Sequence, residues 1–206
     1  MAAKYIKEAA DGFYEEKKSR FISTIFPLST EEDALARIQE VRKRYYDARH
    51  HCFAYVIGAK NEISRQSDDG EPSQTAGMPI LNVLLGNDIH NALIIVTRYF
   101  GGTLLGTGGL VRAYTSAAKD AVEHAELLTL QNGFRVRGEI PYTLVGKIKY
   151  MAETMQIREE SSEYTDKVKT TWLVPEEKKE QFETQIRELS GGSVSLAMDK
   201  AQWYNL

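Results

Sequence analysis

A single cysteine, Cys52, stands among 206 residues, so an internal disulfide is excluded and a reducing cytoplasm is the expected compartment. No apolar run approaches the roughly 20 residues that span a bilayer, so no membrane association is expected. Excess charge of one sign is also missing: 26 Lys and Arg face 29 Asp and Glu, a net charge of −3. Tight nucleic-acid binding through bulk charge is thereby excluded. Only local clusters remain for RNA, Lys17-Lys18 with Arg20 and Arg42-Lys43-Arg44 with Arg49, and such short clusters also serve as solvated faces. The opening MAAKYIKEAADGFYEEKK is too acidic and too weakly apolar for a signal peptide. No internal repeat or low-complexity segment is present. Beside His50-His51-Cys52 no second cysteine or HxxxH spacing completes a zinc site, and Cys52 reads as a small buried hydrophobe. Neither a G-x-S-x-G elbow nor a Ser-His-Asp order argues for a hydrolase, so the case for catalysis is weak.

What the chain does have is concentrated in Asn91–Val122. Leu93, Ile94, Ile95 and Val96 form a β-branched apolar run that predicts a strand buried on both faces. Five glycines follow within nine residues: Gly101, Gly102, Gly106, Gly108 and Gly109. Then Leu110, Tyr114, Ala117, Ala118, Ala121 and Ala125 set a helical stripe. Glycines at a strand-to-helix junction either bring backbone N–H groups to an anion or let helix and sheet pack closely. Arg98 and Arg112 flank the loop as bidentate donors. No lysine follows Gly106 as a Walker loop requires, and Val111 stands where a Rossmann fingerprint needs its third glycine.

The second unusual stretch is Ser67–Pro79, SDDGEPSQTAGMP. Asp68, Asp69 and Glu71 place three carboxylates around Gly70, with Pro72 and Pro79 restraining the backbone. Three uses compete for them: ion pairs to Arg98 or Arg112, a magnesium site built from oxygen ligands, and capping of the helix that carries Ile80–Leu85. His50 is a candidate hydrogen-bonding group beside this loop.

In order, the pattern predicts a strand over Lys18–Phe26 and a helix capped by Thr30 with Asp33 that runs through Tyr46. Strands over His51–Ile57 and Ile63–Ser67 come next, and the helix after the glycines reaches about Glu126. Leu127–Asn132 reads as a connection. Beyond it come a strand (Phe134–Ile140), a helix from Pro141, a hairpin (Ile157–Tyr164 with Val168–Val174), a helix from Pro175 to Gly191-Gly192, and a last strand at Val194–Met198. That order is βαββαβ. The expectation is an α/β (α+β) protein with domains 1–130 and 131–206, in which Leu93–Tyr99 is the central strand of a βαβ-rich first domain.

Three motifs in one order carry a resemblance. They are Ala48-x-His50-His51-Cys52, Asp68-Asp69-Gly70-Glu71-Pro72-x-x-Thr75-Ala76-Gly77-x-Pro79, and Arg98-Tyr99-Phe100-Gly101-Gly102-x-x-Leu105-Gly106-x-Gly108-Gly109-Leu110-x-Arg112-Ala113-Tyr114. With these the chain resembles the IMPACT family, in particular its bacterial YigZ/YvyE-type members. The resemblance implies a first domain similar to the second domain of ribosomal protein S5 and a ferredoxin-like second domain. It also implies a non-catalytic RNA- or ribosome-associated role in modulating translation, with a protein partner as a further option. The alternative is an enzyme acting on small molecules or phosphates, with magnesium held by Asp68, Asp69 and Glu71. The expected binding cleft is His50, Asp68, Asp69, Glu71, Thr75, Arg98, Gly101, Gly102, Gly106, Gly108, Gly109 and Arg112.

Overall fold

The computed structural model describes residues 3–205. The elements run β1 (Lys4–Ile6), β2 (Ala10–Glu16), β3 (Ser19–Pro27), α1 (Glu31–Arg44), β4 (His50–Ile57), β5 (Ile63–Ser67), α2 (Gly77–Gly86), β6 (Ala92–Tyr99) and α3 (Gly106–His124). They continue with β7 (Leu127–Ile140), α4 (Tyr142–Thr154), β8 (Arg158–Tyr164), β9 (Val168–Pro175), a 3-10 turn (Glu176–Lys178), α5 (Lys179–Ser190) and β10 (Leu196–Asn205). The class is α+β. The chain divides into two compact units, one ending at Thr129 and the other spanning Leu130–Asn205. Among the described residues no helix is long and apolar enough to cross a membrane.

The first unit is built on a five-stranded sheet of order β2-β3-β6-β4-β5, with β6 in the middle. Its apolar run is buried on both faces because helices cover both. Phe21, Ile25, Cys52, Ala54, Ile94 and Val96 pack against α2 and α3, whereas Phe26, Tyr55, Leu93 and Ile95 pack against Ala34, Ile38 and Val41 of α1. Every neighbouring pair in this sheet is antiparallel. The expected βαβ units are therefore split. β3 and β4, joined by α1, run parallel to each other with β6 inserted between them, and β5 and β6, joined by α2, are separated in the same way by β4. Helix α1 begins where the sequence predicts: Thr30 Oγ1 accepts from Asp33 N at 3.2 Å, and Asp33 Oδ2 accepts from Thr30 N at 3.2 Å.

The sequence reading has no β1 and places the last strand at Val194–Met198 instead of Leu196–Asn205, and two further segments differ from it. β2 is a strand although Asp11, Gly12, Glu15 and Glu16 obscure any alternation. It is an edge strand, half solvated, and is held by its hairpin pairing with β3. The two-residue turn between them, Lys17-Lys18, has φ values of 48° and 65°, the left-handed region that hairpin turns of this length require. Leu127–Asn132 is not a connection but the start of β7, because Leu127, Leu128 and Thr129 find backbone partners in β1. From Gly133 the strand pairs with β9, and the second unit continues in the order βαββαβ with sheet order β10-β7-β9-β8. Its core gathers Val136, Ile140, Ile148, Met151, Trp172, Phe182 and Ile186 between sheet and helices.

Gly12 marks the closest approach of strand and helix. A Cβ built there would meet the backbone N of Ala121, with Ala121 Cα at 2.8 Å. Gly146 lies inside α4 with nothing within 4 Å of a built Cβ. Gly12→Ala is therefore expected to cost about 1–3 kcal/mol through overpacking. Gly146→Ala should raise stability by roughly 0.5–1 kcal/mol through helix propensity. Urea denaturation of the two variants checks both signs.

Candidate functional site

The antiparallel register sets Phe21 and His50 on either side of Arg98, on β3, β4 and β6. Alternation sends Arg98 to the α2–α3 side of the sheet, where its side chain is buried. Its Nη1 donates to Glu71 Oε1 at 2.6 Å, and the side-chain exposures of the two residues are 8% and 4%. The same carboxylate oxygen accepts from the Tyr114 hydroxyl at 2.8 Å. The Cys52 thiol donates to the carbonyl of Asp68 at 3.0 Å and lies 3.3 Å from the Tyr114 oxygen. Three elements and the carboxylate loop thus meet at one buried polar knot. Burial pushes the Cys52 thiol and the Tyr114 phenol well above their usual values, and the neighbouring Glu71 carboxylate adds to both. Cys52 stays protonated and is a poor nucleophile.

The three carboxylates go to three different partners. Asp68 caps α2 from outside the helix: Oδ1 accepts from Ala76 N at 3.0 Å and Gly77 N at 2.9 Å, and Oδ2 from Gln74 N at 2.8 Å. Asp69, held at φ 42°, pairs with Arg42 at 2.6 Å and accepts from His51 N at 2.6 Å. Its carbonyl contacts His50 Nδ1 at 2.9 Å. Glu71 takes Arg98. Thr75 is buried and donates to the carbonyl of Pro72 at 2.6 Å, which ties the loop to itself. Among the described residues no group of three or more His, Cys, Asp or Glu stands together as a metal site. With each acid already engaged by a cation or by backbone N–H groups, the loop does not have the convergent oxygen ligands that magnesium needs.

The glycines divide as well. A Cβ on Gly101 would run into the backbone of Lys18 and Ser19, and Gly101 N donates to Ser19 Oγ at 3.0 Å. Gly101 thus lets the β2–β3 turn close onto the end of β6. Gly102 and Gly106 have φ values of 88° and 71° and supply the left-handed bends by which the chain enters α3, Gly106 being its first residue. Gly108 and Gly109 are already helical, in the first turn of α3. Arg112 is exposed on that helix, its guanidinium lying over Gly108, and it makes no ion pair among the described residues. The structure therefore brings His50, Asp68, Asp69, Glu71, Thr75 and Arg98 together. Gly108, Gly109 and Arg112 lie outside this hydrogen-bonded group.

Around Arg98 the end of the sheet opens into a cavity of about 510 Å³ lined by Asp47, Ala48, Arg49, His50, Arg98, Tyr99, Phe100 and Leu104. The Arg98 guanidinium lies between two rings, 5.5 Å from Phe21 inside and 5.7 Å from Phe100 at the rim. Arg20 crosses the Tyr99 ring at 5.0 Å, and the Tyr99 hydroxyl donates to Asp47. The close approach at Gly101 sets the Lys17-Lys18 turn beside Phe100, and Arg49 flanks the other edge. Lys17, Lys18, Arg20 and Arg49 are exposed and make no ion pair among the described residues. In the second unit three exposed cations are paired, Arg135 to Glu160, Arg137 to Asp199 and Lys167 to Glu139, whereas Arg158, Lys169 and Lys200 are exposed without an ion pair among the described residues. Tyr114 and Phe100 were not among the residues expected to form the cleft. The one signal for Tyr114 is a hydroxyl on an otherwise Leu and Ala stripe, since a buried phenol needs a partner.

The site thus lies in the first unit of a two-unit α+β protein, its acids each engaged by protein groups, while Arg98 Nε and Arg42 Nε are buried without a hydrogen-bond partner. Residues 17–122 match the Impact N-terminal domain, and residues 139–193 match a domain of unknown function, DUF1949. The chain is 36% identical over 187 residues to the IMPACT family member YvyE of Bacillus subtilis, covering 91% of this chain and 86% of that protein. It is 46% identical over 110 residues to the IMPACT family member YigZ of Escherichia coli, 52% of this chain and 54% of that one. A crystal structure described only as that of a hypothetical protein superposes with a TM-score of 0.58 at 31% identity, covering 95% and 97% of the two chains. The chain belongs to the IMPACT family.

Removing Glu71 would leave the Arg98 charge buried without a counter-charge. Glu71→Ala is expected to cost about 3–5 kcal/mol, and Glu71→Leu combined with Arg98→Met should recover most of it. Denaturant midpoints of the three proteins check this. Burial also lowers the pKa of His51, against the stabilising effects of the Tyr45 carbonyl and Asp69. A histidine depressed in the folded state takes up its proton first in the unfolded chain, so stability falls as pH drops below the unfolded value of about 6.5. Melting temperatures from pH 7 to pH 5 should fall less steeply in His51→Gln than in the wild type.

Proposed function

We propose that this protein is a non-catalytic RNA- or ribosome-associated factor that modulates translation, and that it engages RNA through the basic end of the first unit's sheet. The observation that carries the reading is the meeting of Lys17, Lys18, Arg20 and Arg49 around Tyr99 and Phe100, all without carboxylate partners among the described residues. Cations brought together from separated segments repel one another unless an anion spans them. A phosphate backbone is the extended anion that fits such a row. Aromatic rings set among the cations add the stacking surface that RNA-binding faces use.

The ionisable groups nearest the cavity are engaged in holding the fold, since Glu71 takes both Arg98 and Tyr114. The reading takes both units as relatives of translation-protein domains, the first S5-like and the second ferredoxin-like. The βαββαβ order and the β10-β7-β9-β8 sheet support the latter.

Affinity for RNA should fall linearly on a logarithmic salt scale, with a slope of about −0.7 for each phosphate neutralised on a single strand. Arg20→Ala and Arg49→Ala should each weaken binding evenly across sequences and reduce that slope by roughly 0.7 to 1. Fluorescence anisotropy across a salt series, with ribosome co-sedimentation at two salt concentrations, tests the reading. Binding that is absent at low salt, or indifferent to salt, would overturn it.

A further inference from the structure

Phe100 and Leu104 are 56% and 84% exposed, directly after a strand whose residues from Ala92 to Arg98 are all buried. Neither belongs to a core cluster. Exposed apolar side chains occur elsewhere on this surface, but these two stand together in the wall of one cavity, where a ligand can use them. Phe100 is also not a loose side chain. It lies against the Arg98 guanidinium, which is fixed in turn by the Phe21 ring and the Glu71 carboxylate. The ring is thereby oriented before any ligand arrives, while more than half of its residue surface remains open.

The cavity beside it, about 510 Å³, falls within the roughly 300–1,000 Å³ range of small-ligand pockets. Its walls differ in character. Phe100 and Leu104 are apolar, Arg49 and His50 are polar and partly or fully exposed, the one carboxylate, Asp47, is engaged by the Tyr99 hydroxyl, and Lys17, Lys18 and Arg20 lie just outside. A flat heteroaromatic group suits the apolar wall, and anionic groups a few ångströms to either side suit the cations. One nucleotide unit carries both.

We infer that this cavity takes one unpaired base of a single-stranded RNA, stacked on Phe100, with its flanking phosphates drawn to Lys17, Lys18, Arg20 and Arg49. The inference rests on the RNA reading above and narrows it: the face distinguishes single strands from duplex. In an A-form duplex the bases are stacked on one another and the deep, narrow major groove is closed to side chains. Phe100 has no base face to meet there. A duplex would engage only the cations, whereas a single strand engages cations and ring together.

The test uses the full chain with a short fluorescein-labelled RNA of mixed sequence, offered single-stranded and as a duplex with its complement, at low salt. Phe100→Ala and Phe100→Trp are compared with wild type, and melting curves confirm that neither variant loses the fold. The expected result is preference for the single strand by tenfold or more. Phe100→Ala should weaken single-strand binding roughly 5- to 150-fold, Phe100→Trp should retain it, and duplex binding should not change with either variant. Duplex binding as tight as single-strand binding, or single-strand binding unchanged in Phe100→Ala, overturns the base-stacking inference and leaves the RNA reading standing. Binding of neither form at low salt overturns both, and turns the rim over to an acidic protein partner.

Discussion

The contact between Glu71 and Arg98 is the constraint on which the first unit's working end depends. The two side chains are buried from water, and neither charge would be tolerable there without the other. Their pairing pins the carboxylate loop to the central strand, and Tyr114 extends the tie to α3. The same guanidinium supports the Phe100 ring from beneath. One ion pair therefore connects loop, strand and helix to the orientation of an exposed aromatic group. Such a pair adds little net stability over an apolar replacement. What it fixes is a single arrangement of segments that are far apart in sequence.

In the second unit Arg135, Arg137 and Lys167 lie against carboxylates, while Arg158, Lys169 and Lys200 make no ion pair among the described residues and are spread over three strands. At the end of the first unit's sheet, cations from the β2–β3 turn, from β3 and from the approach to β4 stand together unmatched. A chain of net charge −3 thus carries a local positive field that its overall composition conceals.

Much of the fold was legible because its signals are local. The Leu93–Val96 run foretold a strand covered on both faces, the Thr30–Asp33 spacing foretold the start of α1, and the period change after Pro141 foretold α4. β2 was not legible. Its residues are mostly charged, and it is a strand because β3 offers it a hairpin partner, which is information held elsewhere in the chain. The start of β7 escaped for the same reason, with β1 as the remote partner. In the site, Asp68, Asp69 and Glu71 were visible as a group, but not their separation into a helix cap, a pair with Arg42 and a pair with Arg98. The antiparallel register of β3, β4 and β6 places Arg98 for Glu71, and the packing of α1 on the sheet places Arg42 for Asp69. Phe100 gave no sign at all, since exposure is a property of the folded surface.

The turn at Lys17-Lys18 sets two requirements against each other at the same two residues. Both adopt backbone angles that side chains other than glycine and asparagine enter at a cost on the order of 1 kcal/mol or more each. A hairpin shaped for stability alone would carry Asn-Gly there. This hairpin accepts a less favourable backbone and gains two ammonium groups on a rigid tip, pressed against the end of β6 by the missing side chain of Gly101. Firmness of the scaffold and the density of positive charge at its edge are therefore not independent quantities in this molecule. Any change that relaxes the tip also removes part of the field it presents.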